Sequence, residues 1–350
     1  MAADRELLTV AVVTPLEPEL AEGIAAVDQR VRLRFEPALL PPPRYPSDHR
    51  GADGFRRLPE AEDAWRELLG EAEVLFGVPG DSAEGLRAAF ALPRARWIQG
   101  TSAGAGELAR EAGIAPEELE RVALTTASGV HAGPLAEWCL FALLAFAKDV
   151  RRLERDRRAR RWEPYAVGEL RGRTLVVVGV GEIGTEVARL ARAFGMRVVG
   201  TKRDPSTGAD HVDELVAVDR LGDALGQADA VVVTLPLTDA TRGLVGEAEL
   251  AALPPHAVFV NVGRGGVVDE AALVDALRDG RLAGAALDVT AQEPPPSDSP
   301  LWTLDRVLLS PHTAALVEAE NARIVELFCA NLRRYLAGEP LRNRVGADFY

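Results

Sequence analysis

TLVVVGVGEIGTEVARLARAFGMRVVGTKRDP, residues 174–205, decides how the fold is read. An apolar, β-branched run leads into Gly179, Gly181 and Gly184, spaced G-x-G-x-x-G. The next segment, 182–194, places Ile183, Val187, Leu190, Ala191 and Phe194 on one face at helical spacing. A second β-branched run follows at 197–200. Glycine accounts for 32 of 350 residues, so three of them in a pattern carry little alone. With a strand before and an amphipathic helix after, they fit a dinucleotide-binding turn. Gly179 permits the tight turn, Gly181 lets backbone approach a pyrophosphate, and Gly184 lets helix pack close to sheet. The helix start at Glu182 and Ile183 then offers N–H groups and partial positive charge to the phosphates.

The second half of the stretch is unusual. A site for NAD places Asp or Glu at the end of the second strand, where it hydrogen-bonds the ribose hydroxyls. Here Thr201, Lys202 and Arg203 supply a hydroxyl and two cations, which suit a 2′-phosphate. Asp204 comes two residues late. NADP(H) is therefore favoured over NAD(H), which stays open as the alternative if the two cations belong only to a solvated turn.

Working outward, short β-branched runs alternate with helical patterns on both sides of this stretch, the signature of βαβ units and parallel sheets. Before it, strands are expected at 9–13, 31–35, 74–78, 96–99 and 122–125, with helices at 17–27 and 61–69. The Pro- and Gly-rich segment 40–59 reads as an irregular loop. From 132 a long apolar helix, AGPLAEWCLFALLAFAKDVRR, reads as a buried connector whose Glu137 needs a partner. After it, strands are expected at 175–179, 197–200, 230–235, 258–262, 285–289 and 307–310, six in a doubly wound sheet. A helix starts at the N-cap Asp269 and stops at Gly280, and the last apolar helix, 316–336, is expected to return to the first domain. The fold class is thus α/β with two domains, which suits the length of 350 residues.

With 47% hydrophobic and 27% charged residues the composition is that of a globular chain. No apolar run reaches the roughly 20 residues that span a bilayer, and the N-terminus lacks the features of a signal peptide. A net charge of −13 argues against a nucleic-acid surface. The one basic run, RRLERDRRARR at 151–161, reads as a solvated helix end leading into a loop. Cys139 and Cys329 lie in apolar stretches and read as core thiols rather than a disulfide or metal site. These features point to a cytoplasmic protein with no metal, no membrane and no nucleic-acid partner.

Three later stretches carry the chemistry: VFVNVGRGGVVDEAAL at 258–273, ALDVTAQEPPPSDSPLW at 286–302 and LLSPHTA at 308–314. Each puts an ionisable residue just after a strand of the nucleotide sheet, where an α/β fold builds its ligand crevice. Arg264 can hold a carboxylate and polarise a neighbouring carbonyl. His312 has the pKa range of a general acid, and Glu293 behind it would orient the ring and favour its charged form. These are the parts that hydride transfer to a 2-keto acid requires. His131 and His256 lack such company and read as structural, and Trp302 is a candidate wall of the site.

At this point the sequence resembles the D-isomer-specific 2-hydroxyacid dehydrogenase family. GVHAGPLAEW, ELRGRTLVVVGVGEIG, LPLTDATRGLVG, NVGRGGVVDEAAL, ALDVTAQEPPP and SPHTA stand in that family's order and spacing over nearly the whole chain. The resemblance implies that Arg264 binds substrate, His312 is the acid/base and Glu293 its carboxylate partner. It places Asp288 near the nicotinamide carboxamide. Leu235, Pro236, Thr241, Val262, Gly263 and Ala314 line the dinucleotide cleft, together with Arg264 and His312. The 102–104 turn, Ser102, Ala103 and Gly104, grips the substrate carboxylate through backbone N–H groups. It further implies a discontinuous, flavodoxin-like substrate domain (1–130 with 313–350) and a central Rossmann cofactor domain (131–312). A homodimer through the cofactor domain is also implied. Lys202 and Arg203 resemble the glyoxylate/hydroxypyruvate reductase branch. The absence of an appended regulatory domain disfavours the NAD-dependent phosphoglycerate type, and the glutamate at 293 disfavours formate dehydrogenases, which carry glutamine. A dinucleotide-sensing corepressor of the same fold is the alternative outside enzymology.

Overall fold

The computed structural model describes residues 7–347 and 349. The chain divides into two compact units, 1–131 with 316–350, and 132–315.

In the first unit five parallel strands stand in the order β2-β1-β3-β4-β5. They are β1 (Leu8–Val12), β2 (Val31–Arg34), β3 (Val74–Phe76), β4 (Trp97–Gln99) and β5 (Ala123–Thr125). This 2-1-3-4-5 order is the flavodoxin-like one. Alternate side chains feed two cores. Ala11, Leu75, Ile98 and Leu124 meet Trp65 and Leu68 of α2 (Pro59–Glu71) and Phe90 of α3 (Ala83–Phe90) on one face. Val10, Val12, Phe76 and Trp97 meet Ile24 of α1 (Pro18–Ala25) and Phe328 of α12 (Glu320–Leu336) on the other. Trp97 stacks on Phe328 with ring centroids 4.8 Å apart. Short helices α4 (Ala105–Glu111) and α5 (Pro116–Arg121) join α2 and α3 on the first face, through Ala105, Ala109 and Leu119. The strand order reverses between β1 and β3. There Thr14 donates its hydroxyl to the His49 carbonyl at 2.7 Å, and a Cβ on Gly77 (φ +91°) would lie 2.5 Å from its methyl.

The second unit begins with α6 (Ala132–Ala147) and α7 (Val150–Arg158). They are two helices rather than one, because Asp149 adopts a left-handed φ of 49° and caps the Arg152 N–H. The basic run is therefore a short helix of its own, and Glu137 lies exposed on α6 rather than buried. Seven parallel strands follow, ordered β12-β11-β10-β9-β6-β7-β8. They are β6 (Thr174–Val178), β7 (Arg197–Lys202), β8 (Glu214–Ala217), β9 (Ala230–Val233), β10 (Val258–Asn261), β11 (Gly284–Leu287) and β12 (Val307–Leu309). β8 is one strand more than the sequence reading expects. It is a half-exposed edge strand whose short segment, ELVA, lacks a strong apolar run. Strands buried on both faces read as continuous apolar runs. Leu175, Val177, Ala230 and Val232 meet α6 and α8 (Glu182–Ala193). Val176, Val178, Val231 and Val233 meet α9 (Leu221–Leu225), α10 (Glu247–Ala252) and α11 (Glu270–Arg278).

The units meet in sequence at 131/132 and 315/316, against expected boundaries of 130/131 and 312/313. Residues 313–315 stay with the second unit because Asp288 accepts the N–H groups of Thr313 and Ala314, at 2.9 and 3.0 Å. The last helix starts at Glu320 rather than 316 and belongs with the first unit.

Candidate active site

The second sheet reverses its order between β6 and β9, and the glycine loop lies at that junction. Gly179, with φ of +100°, takes a conformation that side chains rarely adopt, and a Cβ there would press 2.5 Å from the Leu235 side chain. Thr234 donates its hydroxyl to the Gly179 carbonyl at 2.5 Å, which ties the two sides of the crevice together. Gly184 packs against the loop, since a Cβ would lie 2.3 Å from the Gly179 carbonyl. Gly181 differs: nothing stands within 4 Å of where its Cβ would be. Two glycines thus serve packing, and the third leaves open space at the N-terminus of α8, where Glu182 and Ile183 begin the helix. A pyrophosphate approaching backbone N–H groups requires that arrangement, so the residues present fit a dinucleotide.

Lys202 is the last residue of β7, at the strand end where the ribose-binding carboxylate would stand. Its ammonium donates to the Gly208 carbonyl at 3.0 Å, and Arg203 beside it is exposed. Thr201 departs from expectation. It is 1% exposed and its hydroxyl oxygen accepts the Gly179 N–H at 3.1 Å, so it braces the glycine loop from inside. Asp204 is occupied by its own turn, accepting the Ser206 N–H at 2.9 Å and its hydroxyl at 2.6 Å. Across the crevice Thr241 holds the 236–241 turn, donating to the Pro236 carbonyl at 2.6 Å. Val262 and Gly263 are buried, and a Cβ on Gly263 would meet the Leu235 carbonyl at 2.5 Å.

Three loops at the carboxyl ends of β10, β11 and β12 carry Arg264, Glu293 and His312. Asn261, the final residue of β10, accepts the Gly263 N–H at 3.0 Å and donates to the Arg264 carbonyl at 3.2 Å, which shapes the first loop. The Arg264 guanidinium donates to the Gly263 carbonyl at 2.9 Å. After β11, Asp288 is 2% exposed, and one oxygen accepts from the Ser310 hydroxyl at 2.5 Å as well as from Thr313 and Ala314. Its carbonyl takes the His312 N–H at 2.9 Å. Asp288 therefore anchors the loop in which His312 adopts a left-handed φ of 54°.

The His312 Nδ1 lies 2.8 Å from Glu293 Oε2, and the other Glu293 oxygen accepts the Thr290 N–H at 3.2 Å. The hydrogen bond to Glu293 raises the His312 pKa, burial opposes it, and the carboxylate charge adds to the rise. Burial pushes the Glu293 carboxyl up, but the hydrogen bond and charge of His312 outweigh it and hold it below the usual carboxylate range. Arg264 acts on both groups, favouring the ionised glutamate and opposing the charged histidine. With Nδ1 held by the carboxylate, Nε2 is the nitrogen that can pass a proton to a ligand. A cation, an oriented imidazole and an anchoring carboxylate together can bind a carboxylate and move one proton.

A family model described as D-isomer specific 2-hydroxyacid dehydrogenase, NAD binding domain, matches residues 140–314. The chain belongs to that family. It is an NAD(P)-dependent oxidoreductase, and its second unit holds the NAD-binding domain. It is similar to the glyoxylate reductase of Aeropyrum pernix, 37% identical over 235 residues that cover 64% of this chain and 70% of that protein. It is also similar to the D-3-phosphoglycerate dehydrogenase of Archaeoglobus fulgidus, 34% identical over 230 residues, 64% of this chain but 43% of that protein. A solved D-isomer specific 2-hydroxyacid dehydrogenase from Xanthobacter autotrophicus, in complex with NADPH and MES, superposes with a TM-score of 0.76. The two are 28% identical, and the match covers 98% of this chain and 100% of that one.

The turn of Ser102, Ala103 and Gly104 follows β4 in the first unit, with Ser102 and Ala103 exposed. His131 pairs with Glu320 at 3.0 Å and His256 with Asp229 at 3.0 Å. Trp302 is 54% exposed and donates to the Pro296 carbonyl at 2.9 Å. Among the described residues no group of three or more His, Cys, Asp or Glu could hold a metal ion, and no helix is long and apolar enough to cross a membrane. Asn261, Thr234, Ser310 and Glu270 were missed. Each is a polar residue inside a phrase already singled out or at the tip of an apolar strand, and that interruption was the available signal.

Proposed function

We propose that this protein reduces a small 2-keto acid of the glyoxylate or hydroxypyruvate type to its D-2-hydroxy acid, with NADPH preferred to NADH. The observation that carries the proposal is the His312–Glu293 pair, standing with Arg264 on adjacent strand ends of the nucleotide sheet. Arg264 binds the substrate carboxylate and polarises the keto oxygen, as a planar guanidinium can do bidentately. A bound nicotinamide supplies the hydride. His312 delivers the proton from Nε2 to the developing alkoxide, and Glu293 keeps the ring oriented and charged. Lys202 and Arg203 receive the 2′-phosphate, and Asp288 orients the carboxamide while anchoring the His312 loop. The cleft is completed by Gly179, Gly181, Glu182, Ile183, Gly184, Leu235, Pro236, Thr241, Val262, Gly263 and Ala314.

The first unit serves as the substrate domain, and its exposed 102–104 turn offers N–H groups to the substrate carboxylate. A homodimer through the second unit is supported by apolar surface on and after its first two helices: Phe141, Leu153 and Trp162 are 56%, 50% and 96% exposed. A cytoplasmic location is supported by the buried free thiols Cys139 and Cys329.

The test is a reduction screen of glyoxylate, hydroxypyruvate, 3-phosphohydroxypyruvate and pyruvate, with NADPH and NADH in parallel. The expected result is the highest kcat/KM with glyoxylate or hydroxypyruvate and NADPH, and its loss by several orders of magnitude in His312→Ala. No reduction of any of the four refutes the reaction, and higher efficiency with NADH throughout refutes the cofactor preference.

A further inference from the structure

The loops that carry Arg264 and Glu293 are fastened to each other, and one side chain outside the proposed chemistry does much of the fastening. Gly265 lies so close to the neighbouring loop that a Cβ would fall 1.9 Å from the Thr290 carbonyl. Glu270, the first residue of α11, reaches the same loop: its Oε2 accepts the Ala291 N–H at 2.7 Å. Thr290 closes the 290–293 turn by donating its hydroxyl to the Gln292 carbonyl at 2.7 Å, and its N–H goes to Glu293. An unbroken line therefore runs from α11 through Glu270, Ala291 and Thr290 to Glu293 and the His312 imidazole. The helix cap is supplied separately, because Asp269 accepts the Ala272 N–H at 3.1 Å. Glu270 is thus spared for the loop.

We propose that Glu270 is a positioning residue that sets the Glu293–His312 pair relative to Arg264 by holding the 290–293 loop. The proposal rests on the reading of that pair as the proton-transfer apparatus. Its rival is an ordinary acidic residue in a first helical turn, acting through its charge on the helix dipole.

Three substitutions separate the two. Glu270→Gln keeps an acceptor of the right length and loses the charge. Glu270→Asp keeps the charge and falls one methylene short of Ala291. Glu270→Ala loses both. Positioning predicts that Glu270→Asp and Glu270→Ala lower kcat roughly tenfold or more, as small misplacements of catalytic groups do. The alkaline limb of their pH profiles should move to lower pH with the KM for NADPH unchanged. Glu270→Gln should match wild type in all three respects. The His312 imidazole, titrated by NMR without substrate or cofactor, should follow the same pattern, with its midpoint lowered in the Asp and Ala variants and restored in Gln. That titration reads the positioning even if the substrate assignment fails, whereas failure of the reaction itself is visible in the wild type alone. Wild-type behaviour of Glu270→Ala, retention in Asp with loss in Gln, or equal loss in all three overturns the proposal.

Discussion

Replacing Glu293 by glutamine removes one charge from the His312 pair while leaving a side chain that can still accept from Nδ1. The contact is 2.8 Å long, and the two side chains are 48% and 40% exposed. A hydrogen bond between charged groups is worth about 1.5–3 kcal/mol, and exposure of this degree screens it to roughly 1–2 kcal/mol. That is a change of about 5- to 30-fold in the equilibrium between charged and neutral imidazole. The sign follows from the direction of the shift. Glu293 raises the His312 pKa, so wild type keeps the proton donor charged to higher pH than a free histidine would. Reduction needs the charged form, and kcat/KM should be flat at low pH and fall as pH rises through the His312 pKa. In Glu293→Gln that fall should begin at lower pH, with the low-pH plateau within a few-fold of wild type because orientation survives. In Glu293→Ala the plateau should fall as well. The assay is kcat/KM for glyoxylate reduction at saturating NADPH, measured from pH 5 upward in buffers of constant ionic strength. A Glu293→Gln profile that falls at the wild-type pH, with only its height changed, would refute the electrostatic account of this residue.

Replacing Lys202 and Arg203 together by serine should raise the KM for NADPH at least tenfold and leave that for NADH within about twofold, since charge-assisted contacts to a phosphate are the strong ones; equal changes for both cofactors would show that the pair belongs to a solvated turn. Gly181→Ala should melt at the wild-type temperature, because no atom stands within 4 Å of the new methyl, yet bind NADPH more weakly. Gly265→Ala should fold poorly or lose activity, because the backbone of residue 290 cannot yield 1.9 Å contacts cheaply. Glu320 is 3% exposed, and although burial pushes its carboxyl up, the hydrogen bond with His131 at 3.0 Å and the His49 imidazole 3.8 Å away hold it below the usual range. A depressed carboxylate pKa contributes stability that is present above its unfolded value and lost as pH falls through the folded one. Glu320→Gln should therefore cost about 1–3 kcal/mol near neutral pH, a gap that closes in denaturant titrations as pH falls through the lowered folded value; a pH-independent gap would point to packing instead of charge.

Much of this was legible in the sequence, for identifiable physical reasons. Strands of a parallel sheet are buried on both faces, so LVVV at 175–178 and AVVV at 230–233 read as strands without help from their partners. The edge strand β8 has no such constraint on its outer side and left no comparable mark. Glu137 shows the converse error. The α6 sequence is apolar around most of its circumference, which implies burial on every face, yet Glu137 and Phe141 both reach solvent. Helical periodicity identifies which residues are apolar, but what covers them depends on neighbours in space.

The same distinction separates the parts of the site that could be read from those that could not. Arg264, Glu293 and His312 announce themselves because each is an ionisable residue in a loop that follows an apolar strand, and a strand end fixes where that loop starts. What sequence spacing cannot convey is direction. Thr201 and Lys202 are adjacent, and a strand sends adjacent side chains to opposite faces. One hydroxyl therefore turns inward to Gly179 while the neighbouring ammonium reaches the Gly208 carbonyl. The three loops are tied together because Asp288 and Glu270 each spend a side chain on a neighbouring loop, while Asn261 shapes its own. The contacts of Asp288 and Glu270 join segments 21 to 26 residues apart, and no local pattern records them. The reacting groups in this fold are set by strand register, whereas their precision is set by carboxylates and amides that hold main chain. A substitution of Glu270 should therefore change rate and pH dependence well before it changes binding of the dinucleotide.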